Sequence, residues 1–191
     1  MKNRIEAALG NEWLEHCENI TYPHIHVIDP TRRTYNKQGL TIYSTPPQSI
    51  ATLLIENPGL DITATFFKPQ CFRNEHGYEP ENCEGVFYLT HSTNETWILF
   101  LEIKDCEYGN ISNYFKKAKD QIKRTVQIFR DKRIITENRR VYANISFPRV
   151  CKKDYFHHLI TNPEKKKFID DFNISIKGTN RLVIKSYKTI S

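Results

Sequence analysis

Glu102 and Lys104 stand two residues apart at the end of the apolar run Trp97-Ile-Leu-Phe-Leu-Glu-Ile-Lys104, a spacing that puts both side chains on one face of a β-strand. A carboxylate ending a buried row is costly to desolvate unless it is paired. The candidate partners are Lys104 itself, a metal ion, or open solvent at the strand end. If residues 84–90 and 96–104 form a hairpin turning near Thr93, antiparallel pairing joins positions placed symmetrically about 93, and 84 and 102 are such a pair. Glu84 then faces Glu102 directly. Two carboxylates opposed across about 5 Å repel, and a divalent cation ligated by both removes that repulsion. A slip in register would bring in Glu81 as a weaker candidate for the second acid. Relief of the same repulsion predicts that Glu102→Ala slightly stabilises the metal-free chain.

Hard oxygen ligands with open water positions suit magnesium or manganese. Such an ion lowers the pKa of a water and neutralises phosphate charge, while Lys104 positions the nucleophile or stabilises the developing negative charge. The chemistry expected of Glu84, Glu102 and Lys104 is phosphodiester hydrolysis.

The elements that must position these residues follow from hydrophobic periodicity. Residues 61–68, 84–90 and 96–104 are rich in β-branched and aromatic types and predict three strands, the third apolar on both faces and so central to a covered layer. Ile111, Tyr114, Phe115, Ala118, Ile122, Val126 and Phe129 then recur at helical steps with Lys and Arg opposite, the strongest amphipathic pattern in the chain. Residues 141–147 alternate as a fourth strand. Before this series, residues 4–19 predict a helix through Ile5, Leu9, Trp13 and Cys17. Residues 44–56 predict another, with two prolines in its first turn and a stop at Asn57-Pro58-Gly59. After it, residues 153–172 read as partly helical, and 174–190 as a β-hairpin turning at Gly178-Thr179-Asn180. The fold class expected is α/β: a central mixed sheet of about four strands flanked by helices, with a C-terminal hairpin appendix. One domain over 1–191 is expected, with residues 48–150 as its core, 1–47 an N-terminal helix and loops, and 151–191 an extension.

The 191 residues carry 28 Lys and Arg against 22 Asp and Glu, a formal +6, and mean hydropathy is −0.59. Between Lys116 and Arg140 ten bases meet three acids, while acids cluster from 75 to 107. An acidic pocket beside a basic surface suits a partner that is a polyanion, DNA or RNA. No run approaches the ~18 apolar residues of a membrane span, and the start lacks the apolar stretch of a signal peptide, so a cytoplasmic protein with no membrane association is expected. The five cysteines lack a CxxC pair, and neither His24-x-His26 nor His157-His158 has companions for zinc.

Together, Glu84 opening one strand, the triplet Glu102-Ile103-Lys104 ending the next, and the helix Asn113-Tyr-Phe-Lys-Lys-Ala-Lys-Asp-Gln121 resemble the PD-(D/E)xK nuclease superfamily, the restriction-endonuclease-like fold. The resemblance covers roughly 48–150, and Gln121 matches a glutamine that some branches carry. This chain has Glu84 where that family usually has Asp. The resemblance implies a catalytic set of Glu84, Glu102, Lys104 and Gln121, with the two acids as metal ligands. It further implies an endonuclease or exonuclease that leaves a 5′-phosphate, in a mobile-element or antiviral defence setting, with a homo-oligomer or a defence-system protein as further partners. Gln121 shares a helix face with Ala118, Ile122 and Thr125; it is placed to bond a metal-bound water or substrate, or else marks the boundary between core and solvent. Lys117, Lys119, Lys123 and Arg124 are the candidate phosphate contacts, the alternative being a solvated face from which Lys116 and Arg130 also project. The rival reading is a catalytically inactive nuclease-fold module for nucleic-acid binding or assembly. It gains weight if Lys104 bridges both acids without an ion.

Overall fold

Four runs, Ile62–Phe67, Gly85–Leu89, Ile98–Ile103 and Val141–Ser146, are buried at every position. A strand can do that only when both faces of its sheet are covered. The computed structural model, described over residues 1–10, 14–29, 40–68, 82–104, 106, 108–137, 139–149 and 159–191, shows what covers them. In chain order the elements are α1 (Lys2–Leu9), β1 (Leu14–Ile20), β2 (His24–Ile28), β3 (Thr41–Tyr43), β4 (Leu53–Glu56), β5 (Ile62–Phe67), β6 (Gly85–Leu89), β7 (Ile98–Ile103), α2 (Ile111–Asp131), β8 (Val141–Ser146), α3 (Asn162–Phe172), β9 (Ile174–Gly178) and β10 (Arg181–Val183).

The molecule is α/β with two mixed sheets. The larger runs β1-β5-β6-β7-β8-β9 and the smaller β10-β4-β2-β3. Strands β1, β5, β6 and β7 are antiparallel neighbours, whereas β7, β8 and β9 are parallel. A parallel step needs a crossover, and α2 supplies it between β7 and β8. Its buried residues Ile111, Phe115, Ala118, Ile122, Val126 and Phe129 join Val86, Ile98, Phe100, Ala143 and Ile145 in the core under one face of the large sheet. Under the other face, Phe87, Leu99, Leu101 and Ile103 pack with Ile25, Val27, Leu53 and Ile55 of the small sheet. The layers are therefore helices, six strands, four strands. Among the described residues no helix is long and apolar enough to cross a membrane.

The three central strands, α2 and β8 lie as the periodicity predicts, except that Tyr114, counted in the apolar stripe of α2, is exposed. Four expectations are corrected. The helix expected over 4–19 stops at Leu9, where Gly10 takes φ +82°, and 14–20 form β1 against β5; Trp13 lies outside the described residues. Residues 44–56 contain no helix. Ser49 has φ +62°, incompatible with a continuing helix, and Leu53 and Ile55 alternate inward on β4. Residues 174–190 do not form a hairpin turning at Gly178-Thr179-Asn180: β9 lies parallel to β8 in the large sheet and β10 parallel to β4 in the small one, and the chain turns back further on, where Val183 and Ser191 exchange both backbone hydrogen bonds at 2.8 Å. The central sheet accordingly has six strands, not four. Of residues 153–172, the helical part is α3, set by a capping box between Thr161 and Glu164 with Pro163 in the first turn.

Candidate metal-binding and active site

The β6–β7 hairpin closes through residues 92–96, where the Thr96 hydroxyl donates to Thr93 O (2.9 Å) and accepts from Thr93 N (3.1 Å). Arg139, only 2% exposed, donates to Thr96 O, Trp97 O and the Ser92 hydroxyl, fixing this turn from behind. Burial lowers its guanidinium pKa to about 10. The resulting register pairs Gly85 with Leu101 and Val86 with Phe100, symmetric about position 93 as expected.

One step beyond Gly85 the backbone ladder gives way to side chains. Glu84 N–H donates to Glu102 Oε2 at 3.0 Å, and Ile103 N–H donates to Glu84 Oε2 at 3.0 Å. Each acid thus has one oxygen pinned by the neighbouring strand. The other two oxygens converge on Lys104 Nζ, 3.1 Å from Glu84 Oε1 and 2.6 Å from Glu102 Oε1. The backbone of Lys104 is itself tied to β8, its N–H donating to Ser146 O at 2.9 Å. The Glu102 side chain is 0% exposed, whereas Glu84 and Lys104 are 23% and 19% exposed, so solvent reaches the trio from their side.

Burial first, and the charge of Glu84 second, push the Glu102 carboxyl up to about 8, against the opposing pull of Lys104. Burial alone would lower the Lys104 pKa, but the charges of both acids outweigh it and hold the ammonium above the ordinary lysine range. One ammonium facing two carboxylates leaves an excess negative charge, and the fully buried acid is the one that takes up a proton. A stability effect of defined sign follows. Between the ordinary carboxylate value of 4.5 and about 8 the folded state holds a Glu102 proton that the unfolded state has lost, so stability falls as pH rises through that window. Thermal melts across the window should show this slope in the metal-free protein, a smaller slope in Glu102→Gln, and a flattened one with saturating magnesium.

Helix α2 secures the segment entering β6. Gln121 Nε2 donates to Asn82 O at 2.9 Å, and Thr125 Oγ1 accepts from Cys83 N–H at 2.9 Å while donating to Gln121 O at 2.8 Å. Gln121 is 8% exposed, and its Oε1 is buried with no hydrogen-bond partner. The structure thus places Gln121 on the backbone two residues before Glu84. Sequence reasoning did not single out Asn82 or the bond from Cys83 to Thr125; the available signal is Thr125, four residues after Gln121 on the same helix face.

The basic candidates divide. Lys116, Lys117 and Arg124 are exposed, and with Lys123, Gln121 and Phe172 they line an open groove of about 670 Å³. Lys119 instead pairs with Glu164 of α3 at 2.9 Å. Lys123 pairs with Asp120 and lies over the Phe168 and Phe172 rings. Arg130 does not project outward; it is buried and donates to Phe172 O. These three help dock α3 on α2. Glu81 and His157-His158 lie outside the described residues. His26 bonds the Thr52 hydroxyl on the small sheet, and Cys106 is buried in the helix-side core.

Among the described residues no group of three or more His, Cys, Asp or Glu side chains gathers to hold a metal. Magnesium nevertheless needs only one or two carboxylates beside water and substrate phosphate. Two carboxylate oxygens, Glu84 Oε1 and Glu102 Oε1, converge here, and the Lys104 ammonium sits on both. Compared with known family models, curated proteins and solved structures, the chain matches none.

Proposed function

We propose that the chain is a metal-dependent nuclease of the PD-(D/E)xK type, cleaving phosphodiester bonds of DNA or RNA. The observation that carries this reading is the convergence of Glu84, Glu102 and Lys104 at the ends of adjacent strands, one side of the trio open to solvent. The antiparallel run β5-β6-β7, the α2 crossover and the parallel strand β8 support it. Glu84 and Glu102 are the groups that would hold magnesium or manganese. Such an ion, when bound, neutralises phosphate charge and lowers the pKa of a water. Lys104 carries, among the described residues, the one cationic side chain that touches both acids, placed to orient the nucleophile or to stabilise negative charge developing on the phosphoryl oxygens. Gln121 and Thr125 keep Glu84 in register by holding residues 82 and 83. The family setting, a mobile-element or antiviral defence system, and a homo-oligomeric or protein partner belong to the same proposal.

A second reading, the inactive nuclease-fold module, draws support from Lys104 bridging both acids. The deciding experiment incubates the purified chain with single-stranded and duplex DNA and RNA, with magnesium, manganese or chelator. Metal-dependent product carrying a 5′-phosphate supports the nuclease, and binding without cleavage of any substrate supports the module.

If the exposed side of α2 guides the phosphate backbone, affinity falls steeply with salt, because each neutralised phosphate releases counterions. Reversing Lys116, Lys117 and Arg124 to Glu should weaken binding of all sequences alike and reduce the salt slope by about 1 for each phosphate no longer neutralised. Lys119 and Lys123 are left intact in this variant because they hold α3. Unchanged affinity and slope at two salt concentrations would place the strand elsewhere.

A further inference from the structure

The pinning of each acid by a backbone N–H has a consequence for Lys104. Because Glu84 Oε2 and Glu102 Oε2 are both engaged by the neighbouring strand, neither carboxylate can rotate to offer a cation a different oxygen without breaking a backbone bond. The two oxygens that remain are the two that Lys104 Nζ occupies, at 3.1 and 2.6 Å. Magnesium binds its oxygens at about 2.0–2.1 Å, and an ammonium kept on the same pair of oxygens would face it as a like charge at close range. The side chain has a route out. Lys104 follows the last residue of β7, its stem is a flexible four-carbon chain, and 19% of it is already exposed. Its backbone can stay bonded to Ser146 O while Nζ swings away.

We propose that Lys104 is the resident counter-ion of this site and gives up both carboxylates when a divalent cation arrives, so that one side chain fills the metal position in the empty protein and faces substrate in the loaded one. This rests on the metal-binding reading of Glu84 and Glu102. The exchange makes Lys104 an internal competitor of the metal: the apparent affinity is lowered by the fraction of molecules in which Nζ still holds the acids. It also offsets the negative charge of the opposed acids while no metal is present.

The direct test is chemical footprinting of the wild-type chain. Brief treatment with acetic anhydride, followed by digestion and mass spectrometry, reads how accessible each lysine amine is. Acetylation of Lys104 should rise several-fold on adding magnesium, while that of exposed Lys116 stays constant. No rise, or a fall, overturns the proposal. Calorimetric titration with manganese supplies the second readout. Lys104→Met should bind about tenfold tighter than wild type if the ammonium holds the acids about nine-tenths of the time, and Lys104→Met/Glu102→Gln should lose that gain. Equal or weaker binding by Lys104→Met also overturns it, and if that variant does not fold the footprint decides. Both metal readouts positive with no cleavage of any nucleic acid would refute the nuclease reading and leave the exchange standing. Cleavage without release of Lys104 would do the reverse.

Discussion

Glu102→Gln is expected to lower metal-dependent cleavage by at least about 10²-fold while leaving the chain folded, the scale seen when one charge-stabilising group is removed from a catalytic site. The amide keeps the size of the carboxylate and an oxygen to accept the Glu84 N–H, but it removes the charge that a divalent cation needs. Lys104→Ala should reduce turnover comparably, because no other cation among the described residues touches both acids. Glu102→Ala is a poorer probe. Sequence reasoning predicts slight stabilisation from relieved repulsion, yet in the structure this truncation strands a backbone N–H and opens a void beneath a fully buried side chain. The stranded donor alone costs about 1–3 kcal/mol. Circular dichroism must accompany each rate measurement, and a folded Glu102→Gln protein that cleaves at the wild-type rate would end the assignment.

Gly85→Ala should produce the largest loss of stability from the smallest chemical change. A Cβ at Gly85 would lie 2.8 Å from Phe66 Cδ1 and 3.1 Å from Thr65 O, both on the paired strand β5. Phe66 cannot give way cheaply. It is 0% exposed and wedged between the Phe87 ring, edge-on at 5.9 Å, and the His16 ring at 4.5 Å. Overpacking of this kind costs about 1–3 kcal/mol, and each kcal/mol lowers Tm by about 2–4 °C in a chain of this size. Gly85 directly follows Glu84, so the backbone shift that relieves the clash also moves a proposed ligand, and manganese affinity should fall with Tm. Gly109→Ala is the matched control, since nothing lies within 4 Å of its added methyl. Equal melting of the two variants would show that the close approach at Gly85 is absorbed without strain.

The hairpin register was legible because its evidence is local: a turn at Thr93 and two apolar runs symmetric about it place Glu84 against Glu102 with no knowledge of the rest of the molecule. The central strand and α2 were legible because residues covered on one stripe or two faces leave an unmistakable period. What escaped was decided by distant partners. Leu53 and Ile55 show their alternation only against β2, while the prolines before them imitate a helix start. Gly178-Thr179-Asn180 has good turn chemistry, but the free edges of β8 and β4 compete for the strands on either side of it and win. The basic face of α2 is likewise thinned by Glu164, Phe168 and Phe172, more than forty positions later, which no helical wheel of α2 could reveal.

That division of β9 from β10 also governs the order in which the molecule can assemble during synthesis. Glu56 at the end of β4 meets its partner Arg181 across 125 positions of chain, a guanidinium-to-carboxylate hydrogen bond of 2.7 Å. Asn180, between the two strands, accepts from Leu54 N–H at its backbone O while its side-chain oxygen accepts from the Ser146 hydroxyl and Phe147 N–H. One short segment therefore completes both sheets, the larger with β9 at Gly178 and the smaller with β10 at Val183. Loop closure over such separations is slow. Until that segment pairs, β4 and β8 each present an unpaired strand edge open to other associations.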